Sequence, residues 1–150
     1  MCAYICIHTC CHAFFSTTFV RQVNLSRDHN AREPYEQARL AAAHPRERLD
    51  ALVQCVRPGV CYVKGRLQPT RALGDLYLKQ SAWATGEGRG GEVFSPPYIT
   101  ATPEVTIRQM HTVGPEGDCF VVLASDGLWD LMSSQEAVDL VARYIHIYID

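Results

Sequence analysis

The chain predicts an α+β fold, with antiparallel β-sheet layers and covering helices, and three observations carry that expectation. Cys119-Phe120-Val121-Val122-Leu123-Ala124 is an uninterrupted apolar run of strand length, and a run without alternation reads as a strand buried on both faces. Val105 and Ile107 alternate with Glu104, Thr106 and Arg108, the period of a strand with one wet face. Ser133 and Glu136 form a capping box, and Ala137, Leu140, Val141, Tyr144 and Ile145 behind it make the apolar stripe of a helix that should cover the sheet.

From the N-terminus, residues 1–20 contain no Lys, Arg, Asp or Glu. A signal anchor would need a basic flank and a longer apolar run, and His8, Thr9, His12, Ser16, Thr17 and Thr18 dilute this one. The segment therefore argues against a membrane span. Cys2, Cys6 and Cys10 fall at helical i, i+4 spacing with His8 and His12 nearby, but the paired Cys-x-x-Cys spacing of structural zinc sites is absent. Pro34 suits a first helical turn, Glu33 and Glu36 favour its positive end, and Tyr35, Ala38, Leu40 and Ala41 supply an apolar stripe up to His44-Pro45. A second short helix or turn is expected over 46–53, broken by Arg57-Pro58-Gly59.

Arg71 and Asp75 at i, i+4 would form an ion pair if that segment were helical, and Gly74 allows close backbone approach. Gly86-Glu87-Gly88-Arg89-Gly90-Gly91 formally matches a dinucleotide-loop pattern. Such a loop must follow a strand and open a helix, whereas this one runs on into Ser95-Pro96-Pro97, so it is read as a plain loop. Gly114-Pro115-Glu116-Gly117-Asp118 supplies a turn, and the strands on either side of it are expected to pair antiparallel.

The apolar run ends abruptly in Ser125-Asp126-Gly127-Leu128-Trp129-Asp130. A carboxylate at the end of a buried strand is held by rigid backbone and is best tolerated where a cation or donors satisfy it. If Gly127 opens a helical turn, Asp126 and Asp130 face one pocket. On spacing alone, a helix-capping Asp126 and a solvated Asp130 remain equally open. Trp129, between the two acids, reads as a core plug that fixes the loop.

Composition bounds the remaining possibilities. The chain has 150 residues and a formal net charge of -2, one domain in size and without the electrostatic footprint of a nucleic-acid or anionic-membrane binder. Its seven cysteines are odd in number and lack a secreted framework's spacing. Cys55, Cys61 and Cys119 sit among apolar neighbours and read as reduced core residues of a cytoplasmic or nuclear protein.

Four segments in order resemble the PPM-type, or type 2C, metal-dependent protein serine/threonine phosphatases. Leu25-Ser26-Arg27-Asp28-His29-Asn30 with Glu36 and Arg39 is similar to the family's Leu-Ser-x-Asp-His loop and following helix. Lys64-Gly65-Arg66-Leu67-Gln68-Pro69-Thr70-Arg71-Ala72-Leu73-Gly74-Asp75 resembles its Arg-Ala-x-Gly-Asp segment, and Pro97 through Val105 its Pro-Glu-Val approach to a strand. Ser125 through Met132, with Gln135-Glu136-Ala137-Val138, resembles its late metal-binding segment. The likeness spans about residues 19–145 and implies the C-terminal portion of the catalytic domain, with 1–18 an unmatched segment, 19–150 a partial phosphatase domain and 28–65 the flap beside the cleft, where substrate choice would lie.

The resemblance implies the family's sandwich of antiparallel sheets and a phosphoprotein substrate. It also implies a dinuclear Mg2+ or Mn2+ centre, for which hard cations demand oxygen ligands. Carried over residue by residue, Asp126 would ligate the catalytic metals and Asp130 a further, weaker position, while 66–75 would brace the fold. No residue matches a catalytic side chain or the family's phosphate-binding arginine, and its Asp-Gly-His-Gly segment and final Asp-Asn strand have no counterpart. The expected alternatives are a non-catalytic pseudophosphatase or fragment that acts by binding a partner, and a phosphoaspartate enzyme using Asp126. The latter lacks the second aspartate two residues on, where Leu128 stands.

Overall fold

In the computed structural model, residues 4–10, 20–84, 93–109 and 117–149 are described, and the chain forms two compact units: 1–27 with 105–150, and 28–104. The candidate nucleotide loop at 86–91 and the turn residues Gly114 to Glu116 lie outside the described residues.

The first unit is built on a three-stranded antiparallel sheet of order β2-β1-β5, with β1 at Tyr4–Cys10, β2 at Val20–Asn24 and β5 at Gly117–Ala124. The uncharged N-terminal stretch supplies the middle strand. Ile5, Ile7 and Thr9 are β-branched and no charge interrupts them, which suits a segment paired on both edges. As Cys6 and Cys10 lie on a strand, the helical spacing behind a zinc reading does not exist; Cys2 and His12 lie outside the described residues.

The strand over 117–124 is where expected, but two expectations about it are corrected. It pairs with β1, from Tyr4 opposite Ala124 to Cys10 opposite Gly117, and residues 101–109 run without regular structure, leaving Val105 and Ile107 exposed. Nor is it buried on both faces. Phe120 and Val122 pack with Val20, Val138, Trp129 and Ala142, while Val121 is 47% and Leu123 63% exposed. Continuous hydrophobicity signals burial only where both faces of the sheet are covered, and among the described residues one helix covers one face.

That helix, α4 (Ser134–Ile149), begins with the expected capping box: the Glu136 carboxylate accepts from the Ser133 N–H and hydroxyl, each at 2.7 Å. Its inward face is rotated from the expected stripe. Ala137 and Val138 are buried, whereas Leu140 and Tyr144 are largely exposed. Gln135 sets this orientation. Its Oε1 accepts from the Gln22 N–H at 3.1 Å and its Nε2 donates to the Val20 carbonyl at 2.7 Å, so one side chain pairs with the outer edge of β2 as a neighbouring strand would.

The bare face of β5 is expected to bind a hydrophobic dye in the native state, with fluorescence well above that of a fully covered sheet. Val121→Thr with Leu123→Thr should remove most of that signal while secondary structure by circular dichroism is kept; a signal unchanged by both would locate the apolar surface elsewhere.

The second unit holds two helices and a hairpin: α1 (Pro34–Ala43), α2 (Leu49–Leu52), β3 (Val53–Arg57) and β4 (Val60–Val63). Pro34 opens α1 and His44 closes it as expected, but the inward residues are Leu40 and Glu36, not a wholly apolar stripe. The second helix is one turn, and the Arg57-Pro58-Gly59 break is the tip of a β-hairpin, with Gly59 at φ +78°. That hairpin sets Cys55 directly opposite Cys61, with a Cα–Cα distance of 4.0 Å, and the two are disulfide-bonded. This corrects their reading as reduced residues: spacing in sequence does not show which side chains a hairpin register brings together. The Cys119 side chain lies outside the described residues.

Leu40, Leu52, Val63, Leu78, Tyr98 and Ile99 form the core of this unit. The segment 66–75 is not helical, so Arg71 and Asp75 make no helical ion pair. Arg71 pairs in parallel with Thr100 and donates from Nη1 to the Thr102 carbonyl at 3.0 Å, and Gly74 and Asp75 turn the chain at φ +77° and +47°. The segment thus braces Tyr98 to Thr102 through backbone pairing.

Candidate functional site

Asp126 opens a single helical turn, α3 (Asp126–Trp129), directly after β5, and Asp130 closes it, donating its N–H to the Asp126 carbonyl at 2.8 Å. Four residues of helical backbone place the two carboxylates on neighbouring positions of one face. Both residues are exposed. Neither carboxylate has a hydrogen-bond or ion-pair partner among the described residues, and Asp126 caps no helix through its side chain. The turn itself is fixed from behind, where the Trp129 indole N–H donates to the Ala124 carbonyl at 2.9 Å and its ring packs on the core cluster of Val20 and Val138. Among the described residues, two carboxylates without partners thus stand on a turn fastened by Trp129.

As oxygen donors free of cationic partners, they fit a hard divalent cation in kind. In number they do not complete a site, since no group of three or more His, Cys, Asp or Glu side chains able to hold a metal exists among the described residues.

The second unit carries two polar networks. In the first, Glu36 is completely buried and its carboxylate receives His29 Nδ1 at 3.1 Å and Arg39 Nε at 2.6 Å. His29 Nε2 meets Glu104 at 3.1 Å, and the Tyr35 hydroxyl donates to the Asp28 carbonyl beside it. Burial pushes the Glu36 carboxyl up, but the hydrogen bonds from Arg39 and His29 and the Arg39 charge outweigh it and hold the group below its ordinary value. This is how the Asp28-His29 loop is fastened to α1.

In the second network, Glu47 accepts from the Tyr98 hydroxyl at 2.8 Å, from Lys64 Nζ at 3.0 Å and from the Ser95 hydroxyl. His44 Nδ1 lies 3.1 Å from the Ser95 oxygen. This histidine, serine and glutamate are not a nucleophile relay, because the serine proton is directed to the glutamate and not to the histidine. Sequence reading missed this group: Lys64 and Tyr98 lie 17 and 51 residues from Glu47, and no local motif links them.

Comparison with known proteins accords with the resemblance. The family model described as Protein phosphatase 2C matches residues 11–148. Probable protein phosphatase 2C 36 of Oryza sativa subsp. japonica is 40% identical over 124 residues, covering 80% of this chain and 30% of that protein. Probable protein phosphatase 2C 38 of Arabidopsis thaliana is 38% identical over 126 residues, covering 81% and 31%. A protein phosphatase 2C homolog of Schizosaccharomyces pombe is 39% identical over 130 residues, covering 81% and 27%. The chain spans less than a third of the length of these curated relatives. With the match running through the Asp28-His29 loop, the 66–75 brace and the Asp126 turn alike, the chain belongs to the protein phosphatase 2C family.

Proposed function

We propose that this chain serves metal-dependent hydrolysis of phosphoserine and phosphothreonine esters in proteins, with Asp126 and Asp130 as carboxylate ligands of Mg2+ or Mn2+. The observation that carries the reading is the pair of exposed carboxylates, without partners among the described residues, on one turn after β5. When bound, a pair of such ions neutralises phosphoryl oxygens and brings the pKa of a coordinated water towards neutrality. The chain's own residues do the positioning: β5 delivers Asp126, the Trp129–Ala124 hydrogen bond fixes the turn, and Asp130 follows on the same face.

A second reading, a non-catalytic family member that acts by binding a partner, is favoured by the donor count. Two carboxylates fall short of the roughly six oxygens a Mg2+ ion takes, and no third metal-capable side chain joins them among the described residues.

One experiment separates the two. Residues 1–150 alone are expected to show no Mn2+-dependent phosphopeptide hydrolysis above a metal-free control. Residues 20–150 joined behind the N-terminal portion of the rice relative should hydrolyse the phosphopeptide. In that chimera Asp126→Asn should abolish turnover and weaken Mn2+ binding by calorimetry at least about tenfold, because a neutral amide does not balance the cation's charge, with the melting temperature kept. Asp130→Asn should show a milder defect. Unchanged Mn2+ binding in Asp126→Asn would return that residue to a structural role and leave partner binding as the function.

A further inference from the structure

The Cys55–Cys61 disulfide joins two unlike environments. Cys61 is 4% exposed and belongs to the core cluster with Leu52, Val53 and Val63, while Cys55 is exposed, beside Val56 at 72% and the hairpin tip. A thiolate displaces a disulfide sulfur in line, entering opposite the sulfur that leaves. Attack on Cys55 enters from the solvent side and expels Cys61; attack on Cys61 would have to enter through the packed core. Two residues from Cys55 stands Arg57, exposed and with no ion-pair partner among the described residues, a cation suited to the carboxylates of an acidic thiol.

We propose that Cys55 is a reversible thiolation site for acidic low-molecular-weight thiols such as glutathione, with Cys61 as its buried resolving partner. In the forward step a glutathione thiolate bonds to Cys55 Sγ, the Cys55–Cys61 bond breaks, and Cys61 leaves with the electron pair and takes a proton from solvent. A second glutathione thiolate then displaces the Cys55 thiolate, which is protonated, and oxidised glutathione departs. Two thiols are oxidised and one protein disulfide is reduced. In reverse, Cys55 attacks oxidised glutathione and Cys61 closes the ring. This site is independent of any phosphatase activity.

The test uses the full chain in reduced and oxidised glutathione mixtures, quenched with acid and alkylating agent and mapped by peptide mass spectrometry. Glutathionyl adduct is expected on Cys55 in about tenfold or greater excess over Cys61. Cys61→Ser should accumulate the Cys55 adduct, and Cys55→Ser should leave Cys61 unmodified. Arg57→Gln should slow reduction by glutathione while leaving reduction by neutral 2-mercaptoethanol unchanged, a split that a merely structural arginine would not produce. Should either cysteine variant fail to fold, the order of alkylation in the unmutated chain during reduction decides the matter. Adduct on Cys61 equal to or above that on Cys55, or a disulfide that stays closed throughout reducing glutathione mixtures, overturns the proposal.

Discussion

Tyr98→Ala is expected to destabilise the 28–104 unit by about 4 kcal/mol, the usual range for removing a buried aromatic ring. Tyr98 is fully buried, with its ring centroid 4.6 Å from that of His44 and 5.2 Å from that of Phe94. The loss is compounded because the Glu47 carboxylate forfeits one of its donors. Tyr98→Phe keeps the ring and should cost about 1–2 kcal/mol. Chemical denaturation of the three proteins, followed by circular dichroism, gives the comparison, and equal midpoints for Tyr98→Ala and the parent would overturn it. The same residue sets an alkaline limit. Burial, reinforced by the hydrogen bond to Glu47 and its charge, pushes the Tyr98 hydroxyl from 10.0 up to about 12. A group whose folded pKa is raised contributes stability that is full below the unfolded pKa and lost as pH rises through the folded one. The parent should therefore lose stability between about pH 10 and 12, and Tyr98→Phe should lack that component.

Glu36→Ala is expected to cost about 3 kcal/mol, the lower end of the range for breaking a buried charge pair. The lower end applies because the Arg39 side chain is 37% exposed and regains water once released, whereas the half-buried His29 loses a carboxylate on one side of its ring. Glu36→Gln, which retains an acceptor oxygen, should cost roughly half as much. The pH dependence has a definite sign. The Glu36 carboxyl is held below its ordinary value of 4.5, so its contribution is present above that value and lost as pH falls through the lower, folded pKa. Acid unfolding of Glu36→Ala should be correspondingly less steep below pH 4.5. A variant as acid-sensitive as the parent would show that Glu36 does not set this behaviour.

Local signals were the ones the sequence disclosed. Pro34 opening a helix, His44 closing it, Ser133 and Glu136 capping another, and Trp129 fixing the Asp126 turn all depend on residues within a few positions of each other. What escaped were partnerships set by register and distance. Tyr4–Cys10 gave no strand signal that could be separated from an apolar tail, yet it pairs on both edges. Glu36 reads in sequence as complementing the helix dipole, whereas its buried carboxylate is held by Arg39 and by a histidine seven positions back in the chain. Cys55 and Cys61 were read by composition when hairpin geometry decides their pairing. At the candidate site, Asp126 and Asp130 can be named from spacing and resemblance, and the structure adds their exposure and the lack of partners among the described residues.

Gln135 makes the two margins of the sheet unlike. One margin is closed to a newcomer because the β2 groups at Val20 and Gln22 are already taken by that amide. The opposite margin, along β5, has no neighbouring strand among the described residues. A side chain on a helix thereby does for this stretch of β2 what a covering strand would do, withholding the Gln22 N–H and the Val20 carbonyl from any further strand.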